Sequence, residues 1–408
     1  MTTNTPRLSM EELRHALVET LVQQGAPLTP ALAEALRTVP RHLFVPGVLP
    51  EVVYRDIEIV TRRDKFGVPV VRSTRPSIMA HMLAAAELQP GQNVLEIGTG
   101  TGYNSALVAE LVGEEGRVTT IEIDADTAEA ARAHLDRAGY QDVELIVGDG
   151  TLGHASNAPY DRIIITSAVW DLPQELLDQL KPDGLLVTAV SFGGIQVGAA
   201  LRKRASGALE STRLFPPAFL PIHGEAAGPD RHTQIPGSAL HIDFVENPAI
   251  DEAQIHTLLR EEHEINQLPL ELDRRNLGHL SYYTLFHQPP GYALITYRVE
   301  EGQMAFGLEL FGWGLIASTS ACLMPYGDSP IVHTFGSADA YLLLVDIAQK
   351  WAASGQPDLD DFRLHVTPAG QRHFLPSGDN LPTRVFVRPS HTFTLWCIPP
   401  ISATESDA

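Results

Sequence analysis

From Val94 to Val190 the chain alternates short apolar runs with helix-like stretches: VLEI, SALVAELV, VTTIEI, TAEAARAHLDRAG, VELIVG, RIIITSA, PQELLDQL and LLVTAV. Apolar runs of this kind are strands buried on both faces. Strands that alternate with helices pair in parallel through crossovers. The stretch therefore predicts an α/β fold, a doubly wound, Rossmann-like sheet covered by helices on both sides. Helices are expected ahead of it as well. Residues 9–23 read as an amphipathic helix with Ser9 as N-cap and Glu12 completing a capping box. A second spans about 30–38, ending before VPRHLFVP, and a third spans 77–87 with Pro76 in its first turn. Ser73, Thr74 and Arg75 then fall on the loop leading into that third helix.

The alternation fades after LRKRASGALESTRLF. Residues 216–238, rich in proline and glycine, read as a linker. A chain of 408 residues is long for one core, so two domains are expected, 1–215 and 239–408. The second carries helical stretches near 251–264 and 338–353 and strand-like runs YALITYRV, TRVFVRP and FTLWCI. That mixture predicts an α+β domain, for which a substrate-recognition role is expected.

Several functions are disfavoured by composition. A net charge of −21 argues against a nucleic-acid or membrane-surface partner. No apolar run approaches the roughly 20 residues that span a bilayer, and the first residues lack the pattern of a signal peptide. A cytoplasmic protein is expected. Cys322 and Cys397 have no metal or redox spacing and read as buried thiols. No metal site is expected: EHEINQ (262–267) lacks the second histidine of a zinc motif, and His263 reads as a helix surface residue.

The strongest chemical signal is VLEIGTGTGY, a buried strand running into Gly98-Thr99-Gly100-Thr101-Gly102 and then a helix. Glycines there permit a tight turn and let a ligand approach the backbone, while the helix N-terminus adds amide donors. The dinucleotide fingerprint sets its third glycine one residue further on. Here Glu96 precedes the first glycine, where a carboxylate would repel a pyrophosphate and suit the cationic methionine end of S-adenosylmethionine. Glu122 ends the next strand, in place for the ribose hydroxyls, and Asp149 in GDG ends the third, in place for the adenine amino group. Each acid alone could instead cap the helix that follows. Together with Asn104, Ile123 and Gly150 beside them, they form the candidate cofactor site of a class I methyltransferase, using S-adenosylmethionine and releasing S-adenosylhomocysteine.

Residues 37–190 resemble the protein-L-isoaspartate O-methyltransferases. The resemblance rests on VPRHLFVP, YRD at 54–56, the hydroxyl-x-Pro stretch at 74–76, VLEIGTGTGY, GDG, PYDRIIITSA and LPQELLDQLKPDGLLV. It implies a peptide or protein substrate bearing Asp or isoAsp, methylated on its carboxylate, the ester closing to a succinimide through the neighbouring backbone nitrogen. It also implies a hydroxyl at Thr74 that touches the acceptor carboxylate, with Ser73 beside it as a second candidate. Arg75 is then expected to clamp a substrate carboxylate. The C-terminal extension is similar to that of actinobacterial relatives associated with ribosomally made peptides, which convert a normal aspartate to aspartimide and isoaspartate. Aspartyl modification of such a peptide is the leading expectation, with general isoaspartyl repair as its rival and a small-molecule methyltransferase as the outside alternative.

Overall fold

Ser9 caps the first helix, α1 (Met10–Gln23), and Glu12 returns the bond, so the capping box forms as the sequence predicts. Thr29 caps α2 (Pro30–Thr38), whose Leu32, Ala35 and Leu36 are buried. After the short α3 (Pro50–Val53) come an antiparallel pair, β1 (Ile59–Arg63) and β2 (Pro69–Ser73), and then α4 (Pro76–Ala86). The computed structural model describes residues 8–63, 65, 69–229, 231–244, 252–260, 263–300, 302–327, 329–377 and 381–398. The chain falls into two units, 1–189 with 198–226, and 190–197 with 227–408.

The first unit contains the expected sheet. Its strands are β3 (Asn93–Ile97), β4 (Arg117–Glu122), β5 (Glu144–Val147), β6 (Tyr160–Val169), β7 (Leu180–Phe192), β8 (Ile195–Lys203) and β9 (Leu209–Phe215). They lie in the order β9-β8-β7-β6-β3-β4-β5. The β3–β4, β3–β6 and β4–β5 pairs are parallel, and β8–β9 is antiparallel, so the sheet is mixed. Helices α5 (Tyr103–Val112), α6 (Ala125–Ala138) and α7 (Gln174–Gln179) connect the strands. The order turns back between β3 and β6, the position at which open α/β sheets bind ligands.

The second unit is α+β. Strands β10 (Arg231–Gln234), β11 (Leu240–Phe244), β12 (His263–Gln267), β13 (Ala293–Val299), β14 (Phe311–Ile316), β15 (Ser320–Pro325) and β16 (Ile331–Gly336) form one sheet, ordered β10-β11-β13-β14-β15-β16-β12. All six of its pairs are antiparallel. Strands β17 (Phe362–Pro368), β18 (Thr383–Val387) and β19 (His391–Cys397) pair antiparallel about β19, and α8 (Glu252–Leu258), α9 (Arg274–His287) and α10 (Asp339–Ala353) complete the unit.

Two expectations fail here. The helix expected over 251–264 ends at Leu258, residues 251, 261 and 262 lying outside those described, and His263 opens a strand. Its ring stacks on His333, with Nε2 3.1 Å from Nδ1, so it is not a helix surface residue. Strand β14 escaped notice because Gly312 and Gly314 dilute its pattern. A Cβ at either would run into the carbonyl of Met324 or Cys322 on the neighbouring strand, so close backbone packing dictates glycine. Among the described residues no helix is long and apolar enough to cross a membrane.

Cys322 and Cys397 are free and fully buried. Burial pushes each thiol up to about 12, which keeps it protonated and unreactive near neutral pH. A thiol reagent is expected to leave the native protein unlabelled and to label both cysteines after denaturation. Fast labelling of the folded protein would contradict this packing.

Candidate active site

Val94, Leu95 and Ile97 bury β3, so the chain must turn sharply at its end. Gly98, Gly100 and Gly102 take φ of 93°, 54° and 86°, a region that favours glycine. At Gly98 size matters too. A Cβ would lie 2.5 Å from Thr166 Oγ1, a hydroxyl that donates to the carbonyls of Ile97 and Gly98 at 2.9 and 2.8 Å. Thr166, on β6, thereby holds the loop from beneath. At Gly100 a Cβ would meet only Arg72 O, at 3.8 Å. Gly102 begins α5 from the N-cap position.

The loop borders a cavity in the first unit. Arg72, Ser73 and Thr74 line it from the β2–α4 junction, and Gly98, Thr99, Gly100 and Asn104 from the glycine loop and α5. Glu122 and Ile123 close it at the end of β4, with Gly150, Thr166 and residues 218–223 on the remaining sides. Most of the candidate residues are thus brought together. Gly102, Glu96, Asp149 and Arg75 are not part of the lining.

The three acids have separate environments. Glu122 accepts from the Gly100 amide at 2.9 Å and the Asp124 amide at 3.2 Å, so it ties the glycine loop to the start of α6. Each of its oxygens keeps capacity for one more donor. Glu96 is fully buried. It accepts from Asn104 Nδ2 and Thr120 Oγ1, each at 2.7 Å, and from Ser105 Oγ. Burial pushes its carboxyl pKa up, against the pull of these donors. Glu96 lies outside the cavity lining and fastens α5 and β4 beneath the loop.

Asp149 is occupied by the backbone. Its Oδ1 accepts from Thr151 N and Oγ1 at 2.9 and 2.7 Å, and its Oδ2 from Glu225 N at 2.9 Å. Burial raises its pKa, but these three donors outweigh it and leave the carboxyl below its ordinary value. Gly224 must be glycine, because a Cβ would lie 2.5 Å from Oδ2. Asp149 therefore pins residues 224–225.

The hydroxyl loop is clamped from two sides. Arg41, in VPRHLFVP, is 0 % exposed. Its guanidinium donates to the carbonyls of Val53, Arg55 and Ile57 at 2.7, 3.2 and 3.1 Å. It also donates to Ser73 Oγ at 3.4 Å and Thr74 O at 3.1 Å. Desolvation lowers its pKa, though an arginine keeps its charge. Asp56, in YRD, accepts from the Ser77 amide at 2.8 Å and so caps α4 from a distance. Ser73 ends β2 rather than lying on the loop, and is 2 % exposed. Thr74 is half-buried and lines the cavity. Arg75 occupies the N-cap of α4 without a side-chain cap bond, and is exposed.

Residues 216–226, read from composition as linker, belong to the first unit. Ala168 N donates to Leu220 O and Ile222 N to Ala168 O, both at 2.8 Å, so the segment runs parallel to the end of β6. The apolar run AFLPI carried this signal, with Phe219 and Ile222 buried, but the surrounding proline and glycine masked it. Nothing local marked Arg41 and Asp56 as a clamp, because their partners lie 12 to 33 residues away. Among the described residues no group of three or more metal-ligating side chains could hold a metal ion.

The donor set fits S-adenosylmethionine. It offers the Glu122 carboxylate, the exposed apolar Ile123 beside it, and Asn104 Oδ1, a buried acceptor with no hydrogen-bond partner. Comparison with known proteins agrees. The model of the protein-L-isoaspartate(D-aspartate) O-methyltransferase family matches residues 11–227. A protein-L-isoaspartate O-methyltransferase of Ignicoccus hospitalis is 42 % identical over 52 % of this chain and 98 % of its own. One from Hyperthermus butylicus is 40 % identical over 52 % and 90 %. A solved structure titled as the same enzyme superposes with a TM-score of 0.49 at 22 % identity, covering 86 % of this chain and 96 % of its own. With more than half of its length matched by the family model, the chain belongs to the S-adenosylmethionine-dependent protein-L-isoaspartate(D-aspartate) O-methyltransferase family.

Proposed function

We propose that this protein methylates the free carboxylate of isoaspartyl residues in peptides or proteins. The observation that carries the reading is the meeting of a clamped hydroxyl loop and the glycine loop on one cavity, closed by Glu122. When bound, S-adenosylmethionine supplies an electrophilic methyl on a positively charged sulfur. Glu122 would take the ribose hydroxyls with its two remaining acceptor positions. Ile123 and Gly150 would border the adenine, and Gly98, Thr99, Gly100 and Asn104 would border the methionine end. Glu96 and Gly102 support this set from outside it.

An acceptor carboxylate is already ionised at neutral pH, so the protein needs no general base. Its contribution is alignment and exclusion of water. Thr74 donates its hydroxyl to the acceptor carboxylate. Ser73, engaged by Arg41 from behind, serves the loop rather than the substrate. The product ester then loses methanol as the next backbone nitrogen attacks, giving a succinimide.

The isoaspartyl reading is favoured over aspartyl modification of a dedicated peptide. Relatives aligned over nearly their whole length carry the isoaspartyl name. The aspartyl reading draws on Thr74, Arg75 and the second unit; Thr74 lines the cavity, but Arg75 is exposed and outside the lining. Matched peptides carrying isoaspartate or aspartate at one position separate the two. Faster methyl transfer to the isoaspartyl peptide is expected, and transfer to the aspartyl peptide alone would overturn the proposal.

Within this reading two variants should fail differently. Glu122→Ala weakens S-adenosylmethionine binding by about 1–3 kcal/mol, the loss expected for charged hydrogen bonds. Thr74→Ala binds cofactor as before and turns over about tenfold to a hundredfold more slowly, since only alignment is lost. Thr74→Ser should restore most of the rate. Calorimetry and steady-state kinetics check the pair, and the same profile in both variants would contradict the assigned roles.

A further inference from the structure

The arginine that lines the cavity is Arg72, two residues before Thr74. Successive residues of extended chain alternate in direction, and Thr74 directly follows the last residue of β2. Burial agrees, with Arg72 and Thr74 half-buried and Ser73 between them buried. Arg72 Nη1 donates to Glu58 Oε2 at 2.9 Å, the side chains being 28 % and 37 % exposed. Its Nε is buried with no hydrogen-bond partner, so the fork of donors is incompletely used. Glu58 lines the same cavity. A partly exposed pair of this kind adds little to stability. A guanidinium fork, however, matches a carboxylate two bonds at a time.

We propose that Arg72 is a specificity residue that takes a second carboxylate of the substrate, and that Glu58 is an internal competitor which this carboxylate displaces. The inference rests on the function proposed above and names a substrate class for it. Arg72 lies within β2 and Thr74 one residue past its end, so at most about 7 Å of backbone separates them, a span of up to two residues in an extended peptide. The favoured substrate is therefore a peptide whose acceptor residue has an acidic residue within two positions. Glu58 keeps the guanidinium neutralised until such a peptide arrives, and so lowers the gain that an acidic neighbour brings.

Fluorescent isoaspartyl peptides with Glu or Gln at the positions flanking the acceptor test this. Their affinities are read by anisotropy with the protein saturated with S-adenosylhomocysteine. Wild type should bind the Glu peptide about twofold to fivefold more tightly than the Gln peptide, the effect of one partly exposed ion pair. Glu58→Gln should widen that ratio, because the competitor's charge is gone. Arg72→Met should bring it to one, and the double variant should match Arg72→Met. Calorimetry with S-adenosylmethionine reports that the pocket is intact in each.

A wild-type ratio retained in Arg72→Met, or a ratio that Glu58→Gln fails to widen, overturns the proposal. The readout is binding, so its failure is separable from that of the proposed function. Peptides that bind with these ratios and are never methylated sink the function and leave Arg72 its role. Peptides methylated alike and bound without preference do the reverse.

Discussion

Arg41→Met will slow methyl transfer by about a hundredfold, with most of the loss in turnover rather than in cofactor affinity. The guanidinium holds three carbonyls of residues 53–57 on one side and Ser73 Oγ and Thr74 O on the other. Without it those buried and part-buried acceptors lose their donors, at about 0.5–1 kcal/mol each. A destabilisation of about 3–5 kcal/mol is therefore expected as well. Because Thr74 is placed through its own carbonyl, its hydroxyl loses register with the acceptor when the clamp goes. Arg41→Lys should recover part of the stability and little of the rate, since an ammonium cannot reach both segments in the geometry of the fork. Thermal melting and single-turnover kinetics check this. A variant that melts and turns over like wild type would show the clamp to be incidental.

Gly98→Val will remove detectable S-adenosylmethionine binding and lower stability together. A valine there must adopt φ near 93°, which β-branched residues avoid. Its Cβ would also strike Thr166 Oγ1, the hydroxyl that holds the loop. Gly100→Val makes the contrast. Its φ of 54° strains a valine too, but its Cβ meets only Arg72 O, at 3.8 Å. Its loss of stability should therefore be smaller than that of Gly98→Val, while binding at the cavity edge is still lost. Calorimetry and melting curves on both variants separate the two, and normal affinity in Gly98→Val would remove the glycine loop from the cofactor site.

What the sequence made legible was local and periodic. The strand–helix alternation from Val94, the Ser9–Glu12 capping box and the glycine turn all follow from neighbours a few residues apart, and all are present. The acids were harder. Glu122 lines the cavity, whereas Glu96 is taken up by Asn104, Ser105 and Thr120 and Asp149 by Thr151 and Glu225. All three end or nearly end strands, so only the direction of each side chain distinguishes them, and composition does not encode that. VPRHLFVP and YRD were visible as motifs but not as a clamp, because Arg41 and Asp56 act on a loop distant in sequence. In the second unit, Gly312 and Gly314 hid a strand whose glycines are demanded by close backbone contact.

The most direct test follows one isoaspartyl peptide through the reaction by mass spectrometry, with S-adenosylmethionine and the wild-type protein. The account predicts a gain of one methyl group on that peptide, then loss of methanol as the succinimide forms. The matched aspartyl peptide should change far more slowly. An isoaspartyl peptide that stays unmethylated while the protein binds S-adenosylmethionine would contradict the account.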